Sequence, residues 1–244
     1  EIYQCDWSSD VCSSDLIIII TSMKVTYDHY YGQMENHSLQ LYTANLECDE
    51  HEERHALASG WLLYNGTWYQ SRSTRICLAD WKQLQRYDYC RASFTTNPDI
   101  KKYREIWSAY LESKSYPRIY NPFELSSRDV WMEYYVNDEL LGFTKLLRYQ
   151  FGLESQFNAY VPDTKIKIGL DMLNYEVNYA ISRGLEYLYI GSGYENGSKY
   201  KAKLSGFEWW TGSEWSRDTE KYIDLCDRDS KITTIKELSN ITPQ

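Results

Sequence analysis

Residues 186–210 of this 244-residue chain read EYLYIGSGYENGSKYKAKLSGFEWW. The first part is typical of a short buried strand, which ends where two glycines interrupt the apolar run. Three lysines follow among aromatic residues, although the chain as a whole carries a net charge of −9. This pattern predicts a strand end beside a locally basic, aromatic edge in an otherwise acidic protein.

The basic residues are concentrated around that stretch. Residues 164–203 contain six lysines or arginines and four carboxylates, so this segment carries +2 and the remainder of the chain −11. Proteins that bind nucleic acids in general usually show a larger basic footprint. We therefore expect no DNA partner, and we expect any contact with phosphate to be local.

The cysteine pattern and the apolar runs bear on the compartment. The six cysteines show no CxxC pair and no regular framework, which favours reduced thiols in a cytoplasmic protein. The apolar run at residues 16–20 is too short for a signal peptide or a membrane span. We expect a cytoplasmic protein that makes no contact with membranes.

Local patterns from residue 23 onward predict alternating strands and helices. Asn65-Gly66 is typical of a two-residue hairpin turn, and Asn97-Pro98-Asp99 is typical of a helix start. The other predicted elements are a hairpin over residues 130–147 that turns at Asn137-Asp138, a strand at 153–161, a helix at 168–183 ended by Gly184, and a strand at 187–190 ended by Gly191.

We predict four regions along the chain. Residues 1–22 form a disordered segment, whose Ser- and Asp-rich start resembles translated sequencing-adapter sequence. Residues 23–95 form a small N-terminal α/β subdomain, residues 96–216 a larger mixed domain, and residues 217–244 a C-terminal tail. The order hairpin, strand, helix, strand in the larger domain is that of the GCN5-related N-acetyltransferase (GNAT) fold. We therefore predict an α+β, GNAT-like mixed sheet flanked by helices.

The turn before the predicted long helix bears on the acyl donor. The acyl-CoA branch of the GNAT fold has an R/Q-x-x-G-x-G/A loop there, whose backbone amides hold the pyrophosphate. This chain reads PDTKIKIGLDML, with a single glycine, Gly169. We expect neither coenzyme A nor any other cofactor.

Residues 187–208 resemble the C-terminal signature of the arginyl-tRNA-protein transferases and their bacterial relatives, the aspartate/glutamate leucyltransferases. That signature is a Y-x-Y-L-G-Y strand followed by M-x-Y-K-A-x-F-x-P-x-E. The matching residues are Tyr187, Tyr189, Gly191, Tyr200, Lys201, Ala202 and Glu208. The preceding segment KIGLDMLNYEVNYAISRGLEYLY resembles the family's helix at Gly169, Leu173, Glu176, Ala180, Gly184 and Leu185. With looser matches at ASGWLLYNGTWY and TRICLADW, the resemblance extends from about residue 56 to residue 215.

Some positions depart from the family pattern. The family has a cysteine cluster, associated with metal or cluster binding, where this chain reads WYQSRSTRI without cysteine, so we predict no metal there. Ser198 and Gly206 replace the family's methionine and proline, and Gly191-Ser192 replaces its second glycine-tyrosine step. The chain is therefore similar to a divergent member of that family.

The resemblance implies an aminoacyltransferase that moves an amino acid, arginine or leucine, from aminoacyl-tRNA to the N-terminus of acceptor proteins or peptides. Acidic N-terminal residues on the acceptors and a role in N-degron protein degradation are implied with it. Such a reaction needs no activated nucleophile, because the tRNA ester is already reactive and an α-amine with a pKa of about 8 is partly neutral. Positioning and stabilisation of the oxyanion would supply most of the catalysis.

Specific residues are candidates for these roles. We interpret Glu176, Tyr200 and Lys201 as catalytic, with Glu176 orienting an amine or assisting proton transfer. Lys199 and Lys201 would hold tRNA phosphate or the terminal ribose, while Arg72 and Arg75 would read the acidic residue of the acceptor. The further substrate-binding candidates are Tyr189, Gly191, Ser192, Tyr194 and Lys203.

Three alternatives remain open at this stage. One is a GNAT-like acyltransferase with another donor, and another is a non-catalytic binding module for acidic protein N-termini. The third is metal binding by HEERH at residues 51–55, which fits the H-E-x-x-H zinc motif. Because Gly60 ends that helix almost at once, we interpret HEERH as a short charged helix face.

Overall fold

The computed structural model describes residues 24–28, 32–34, 37–39, 43–47, 52–64, 66–84, 90–114, 121–162, 168–194 and 196–232. The predicted segment 1–22, the start of the HEERH motif, Asn65, and Cys5, Cys12 and Cys48 lie outside these residues. Cys77, Cys90 and Cys226 are free thiols. None of the helices in the described part of the chain is long and apolar enough to cross a membrane.

Fourteen strands and four α-helices lie in the described residues. They are β1 Lys24–Asp28, β2 Gly32–Met34, β3 His37–Leu39, β4 Thr43–Glu47, α1 Glu53–Ala58, β5 Trp61–Tyr64, β6 Thr67–Gln70, β7 Ser73–Cys77, β8 Arg91–Thr95, α2 Ile100–Lys114, β9 Asp129–Val136, β10 Glu139–Arg148, β11 Leu153–Tyr160, α3 Ile168–Ser182, β12 Tyr187–Ser192, β13 Phe207–Trp210, β14 Trp215–Ser216 and α4 Thr219–Asp229. Two 3₁₀ helices span Leu78–Asp80 and Asn196–Lys203.

Eight strands form the main sheet, in the order β14-β13-β7-β12-β11-β10-β9-β8. All neighbours in it pair antiparallel except β11 and β12, which are parallel and are joined through α3. The predicted hairpin, strand, helix and strand thus correspond to β9–β10, β11, α3 and β12. The prediction of an α+β protein with a mixed sheet flanked by helices is confirmed.

The two faces of the sheet pack against different helices because neighbouring residues of a strand point to opposite sides. Met132 of β9 lies in the same buried cluster as Met172 of α3, whereas Trp131 lies with Tyr103 of α2. A second sheet has the strand order β1-β4-β6-β5, and the neighbouring strands in it pair antiparallel. Leu62 of this sheet packs with Tyr149 and Tyr189 of the main-sheet region.

The turns follow the predicted chemistry, with local differences at element ends. Asn137 and Asp138 have φ of 49° and 62°, which suits the two-residue turn between β9 and β10. Helix α2 begins at Ile100, two residues later than the Asn97-Pro98 pattern predicted. The capping residue is Asp99 instead of Asn97, because the Asp99 Oδ1 accepts a hydrogen bond from the Lys102 N–H.

The end of β12 differs more from the prediction. Gly191 does not end the strand but adopts a φ of +70° within it, and the register with β7 shifts between Tyr189 and Ser192. The lysines that follow lie on the 3₁₀ helix Asn196–Lys203, directly after the end of β12.

Strand pairing crosses the predicted boundary between residues 95 and 96. β8 pairs with β9, and β7 lies between β12 and β13 in the main sheet. The predicted N-terminal subdomain therefore contributes two strands to the same sheet as the larger region. In the predicted C-terminal tail, α4 packs against the 3₁₀ helix 196–203. The division into domains stays a prediction.

Candidate functional site

The parallel strands β11 and β12 separate at their carboxyl ends. Only two residue pairs are in register, Leu153 with Leu188 and Glu154 with Tyr189, after which β11 continues along β10. A cavity of about 570 Å³ opens at this end, beside the first turn of α3. We call it the carboxyl-end cavity. Clefts beyond the carboxyl ends of parallel strands are common ligand sites in proteins.

Glu176 of α3 lines this cavity and is almost completely buried. Its Oε1 accepts hydrogen bonds from the Thr144 hydroxyl at 2.7 Å and the Tyr134 hydroxyl at 3.4 Å. Among the described residues, Oε2 finds no hydrogen-bond partner. The carboxyl is thus held at Oε1, while Oε2 is buried without a hydrogen bond from the described residues.

The environment of Glu176 shifts its proton affinity. Burial raises the pKa of Glu176 above its usual value because the charged carboxylate loses hydration. The hydroxyls of Thr144, Ser155 and Tyr134 oppose this rise by stabilising the charged form. A carboxyl whose pKa is raised is a stronger base than an ordinary carboxylate, which suits it to accepting a proton.

Other residues of the carboxyl-end cavity supply rings and polar groups. Tyr200, on the 3₁₀ helix, lines it with about half of its surface exposed. Lys114 at the end of α2 brings a positive charge to the wall. The further polar or aromatic lining residues are Tyr110, Ser155, Asn158 and Tyr160. Of the predicted catalytic residues, Glu176 and Tyr200 therefore share one cavity.

Lys201 lies in a different setting from the one expected for a phosphate ligand. Its side chain is buried, and its Nζ donates hydrogen bonds to the backbone carbonyls of Ile190 and Ser192, at 2.6 and 2.8 Å. A third bond, at 3.3 Å, goes to the Thr74 hydroxyl. The positive charge also lowers the pKa of buried Glu154, which burial nevertheless raises to about 7. The structure thus places the Lys201 amine inside the protein, beneath the irregular end of β12.

The remaining lysines of the motif differ in exposure. Lys199 pairs with Asp227 of α4 at 2.7 Å, and both side chains remain partly exposed. Lys203 is exposed to solvent at the end of the 3₁₀ helix. Among the described residues no carboxylate forms an ion pair with Lys203, so a phosphate could bind it without displacing one.

Arg72 and several predicted substrate-binding residues lie in packed contacts with α4 or β12. The Arg72 guanidinium pairs with Asp229 at 2.8 Å and lies 4.8 Å from the centre of the Tyr194 ring. The Tyr194 hydroxyl accepts the Arg72 N–H. The Ser192 hydroxyl bonds that of Ser71. These contacts fix the loop after β12, and they do not bring Arg72 to the carboxyl-end cavity.

Arg75 and Tyr189 line a second cavity, at the opposite end of α3. The predicted site residues are therefore divided among the two cavities and the packed layer between β12 and α4. Sequence reasoning missed Tyr134 and Thr144, which hold Glu176, because they look like ordinary alternating strand residues. Tyr134 pairs with Gly142 and Thr144 with Met132, so the two residues are offset by two positions across the β9–β10 hairpin.

The HEERH segment exposes Arg54 and His55 but buries its two glutamates. Glu53 is buried and accepts hydrogen bonds from the Arg128 guanidinium and from the Gln150 N–H. His55 is exposed, and His51 lies outside the described residues. Within the described residues, no group of three or more His, Cys, Asp or Glu is placed to hold a metal ion.

Comparison with known proteins gives likenesses of fold only. No family model and no curated protein matches the chain. A DUF2156 domain from Agrobacterium fabrum is 10% identical with a TM-score of 0.42, over 50% of this chain and 46% of that one. L-PGS from Bacillus licheniformis is 10% identical with a TM-score of 0.41, over 62% and 56% of the two chains.

A GCN5-related N-acetyltransferase from Kribbella flavida is also similar. It is 9% identical with a TM-score of 0.39, over 57% of this chain and 54% of that one. The matched regions thus span about half the length of these three structures. At these identities and TM-scores, the likeness says nothing about what this chain binds or transfers.

Proposed function

We propose that the protein is an acyltransferase whose acceptor is an amine, with Glu176 as the general base. The observation that carries this proposal is the environment of the Glu176 carboxyl. Glu176 is buried and lines the carboxyl-end cavity, and its Oε2 has no hydrogen-bond partner among the described residues. A buried carboxylate oxygen without a hydrogen bond is costly, so protonation or an N–H of a ligand would stabilise Oε2. An incoming amine can satisfy that oxygen and give it a proton.

The proposed donor is an aminoacyl-tRNA, and the proposed acceptor is the α-amine of a protein or peptide with an acidic first residue. This finer assignment is supported by the sequence resemblance over residues 187–208. Tyr200 and Lys114 at the cavity, with exposed Lys203 nearby on the same 3₁₀ helix as Tyr200, provide a ring and positive charges for the tRNA end. N-degron arginylation or leucylation is the role that this reaction would serve.

The reaction forms one bond and breaks one bond. The neutral amine attacks the ester carbonyl carbon of the aminoacyl-tRNA, and Glu176 takes the proton that the nitrogen loses as the C–N bond forms. The carbon–oxygen bond of the ester then breaks, and the ribose oxygen leaves as a hydroxyl after receiving that proton. The Tyr200 hydroxyl would donate a hydrogen bond to the leaving oxygen.

The reaction is tested by transfer of a labelled amino acid. Purified protein is incubated with tRNA charged with arginine or with leucine, and with peptides that begin with Asp, Glu or an acetylated Asp. We expect label on the free acidic peptides and none on the acetylated peptide, because only a free α-amine can attack. Absence of transfer from every charged tRNA would contradict the proposed donor. Binding of the acidic peptide without transfer would instead favour a non-catalytic binding module.

A matched pair of variants tests the site. Glu176→Gln removes the base, and Glu139→Gln makes the same chemical change at an exposed residue of the β9–β10 turn. We expect Glu139→Gln to transfer at the wild-type rate and Glu176→Gln to be strongly impaired. Equal rates in the two variants would show that Glu176 has no catalytic role.

A further inference from the structure

A second cavity of about 540 Å³ lies beyond the C-terminal end of α3. Its lining residue Arg183 is seven positions from Glu176, which corresponds to about 10 Å at the rise of an α-helix. We call this one the arginine cavity. Its lining residues include Arg54, Arg75, Phe151, Arg183, Tyr187 and Trp215.

The inner wall of the arginine cavity contains a fixed, buried cation. The Arg75 guanidinium donates from Nε and Nη2 to the Glu208 Oε2, at 2.8 and 2.7 Å. Its central carbon lies 3.7 Å from the centre of the Tyr187 ring and 3.9 Å from that of Trp215. The guanidinium is therefore held rigidly between two aromatic rings, and Glu208 already neutralises its charge.

The mouth of the arginine cavity contains two further arginines. Arg54 and Arg183 are both exposed, and neither forms an ion pair with a carboxylate in the described part of the chain. Glu186 is the one carboxylate among the residues that line the cavity. The mouth therefore carries excess positive charge in a protein whose net charge is −9.

The remaining lining is apolar and partly aromatic. Leu57 and Leu185 lie in the wall, and the Phe151 ring, which is 44% exposed, has the Arg54 guanidinium 5.1 Å from its centre. The volume is within the range of small-molecule sites. Guanidinium groups bind carboxylates and phosphates through paired hydrogen bonds and also stack on planar rings.

We propose that the arginine cavity binds a small organic anion with a planar ring, the anionic group meeting Arg54 and Arg183 and the ring lying among Phe151, Tyr187 and Trp215. Neither a bare phosphate nor an uncharged ring would use both halves of this lining. The site does not depend on the reaction proposed at Glu176, because it lies at the other end of α3 and shares no lining residue with the carboxyl-end cavity.

The test is titration calorimetry with AMP, inorganic phosphate, adenosine and indole-3-acetate. We expect phosphate and adenosine to bind at least tenfold more weakly than the better of the two ring-bearing anions. Tighter binding of AMP would identify a phosphate ligand, and tighter binding of indole-3-acetate a carboxylate ligand. If neither binds at millimolar concentration, or if phosphate alone binds as tightly, the proposal is wrong.

Variants locate the bound anion. AMP is also the terminal nucleotide of tRNA, so it could enter the carboxyl-end cavity instead. We expect the double variant Arg54→Gln/Arg183→Gln to lose at least tenfold in affinity, and Glu176→Gln to bind as the wild type does. Arg91→Gln, at an exposed position of β8, is the matched control. Wild-type affinity in the double variant would overturn the assignment.

Discussion

The carboxyl-end cavity contains a buried carboxyl with one oxygen unpaired among the described residues, whereas the arginine cavity contains a buried guanidinium that pairs with Glu208. In the proposed reaction, the unpaired oxygen of Glu176 would meet the entering amine. At Arg75 the buried charge is paired with Glu208, whereas Arg54 and Arg183 at the mouth form no ion pair with a carboxylate among the residues that the structure describes. We therefore expect a ligand in the carboxyl-end cavity to exchange a proton with Glu176. A ligand in the arginine cavity would bind without any proton transfer.

The largest effect is expected when the base is removed from the carboxyl-end cavity. Glu176→Gln should reduce the transfer rate by about 10²- to 10⁴-fold, because that is the usual contribution of a positioned general base. The same variant should leave anion binding in the arginine cavity unchanged. The measurement is single-turnover transfer together with calorimetry. Parallel loss of both properties would mean that the two cavities are not separate sites.

A large loss of stability is expected at Lys201, which lies beneath the β12 backbone. Lys201→Ala should lower the free energy of unfolding by about 3 kcal/mol, because it leaves the buried carbonyls of Ile190 and Ser192 without their donor. Urea unfolding measures this change, with the surface variant Lys101→Ala as control. If Lys201→Ala had wild-type stability but no longer bound tRNA, Lys201 would be a phosphate ligand, as the sequence predicted.

A smaller effect concerns pH and the Glu154 carboxyl. Its folded pKa of about 7 exceeds the reference value of 4.5, so between these values the folded state holds a proton that the unfolded state has lost. The contribution of Glu154 to stability is therefore present below pH 4.5 and is lost as the pH rises through 7, by about 3 kcal/mol in total. Glu154→Gln removes this slope.

Thermal unfolding of the wild type and of Glu154→Gln at several pH values checks this expectation. The difference in stability should move in favour of Glu154→Gln as the pH rises from about 4 to 8, since titration of the other carboxylates cancels between the two proteins. A difference that does not change with pH would place the titration of Glu154 near its ordinary value.

The smallest effect is expected at the exposed end of the 3₁₀ helix. Lys203→Ala should weaken tRNA binding a few-fold at low salt and reduce the slope of log affinity against log salt by about 1, because one phosphate contact is lost. Filter binding over a range of salt concentrations measures it. The slope for Lys101→Ala, on α2, should remain that of the wild type.

Local sequence signals were sufficient for much of the fold. The turn at Asn137-Asp138, the helix α3 and the short strand β12 each follow from residues that are close together in the chain, through turn preference, periodicity and glycine position. The pairing of β7 with β12 and β13 could not be predicted in this way, because it joins segments far apart in sequence. The sheet therefore includes part of what the sequence suggested was a separate subdomain.

The candidate site was predictable only in part, for a physical reason. Glu176 could be singled out because it matches an acidic position in the family's helix, and the structure places it in a cavity with Tyr200. The lysines at 199, 201 and 203 look equivalent in sequence. In the structure, Lys199 pairs with Asp227, Lys201 is buried and Lys203 is exposed. Burial depends on how the 3₁₀ helix lies on β12 and α4, and no local pattern in this stretch encodes that packing.

The position of β7 between β12 and β13 has a consequence for synthesis of the chain. Arg75 and Glu208 pair across a separation of 133 residues, and Ile76, on the same strand, is completely buried in the finished sheet. Contacts between such distant segments form slowly, and a ribosome adds about 5–20 residues per second. The centre of the sheet therefore stays open for several seconds of translation. During that time β7 lacks both of its neighbouring strands, and its one large apolar side chain, Ile76, is available to chaperones or to a neighbouring nascent chain.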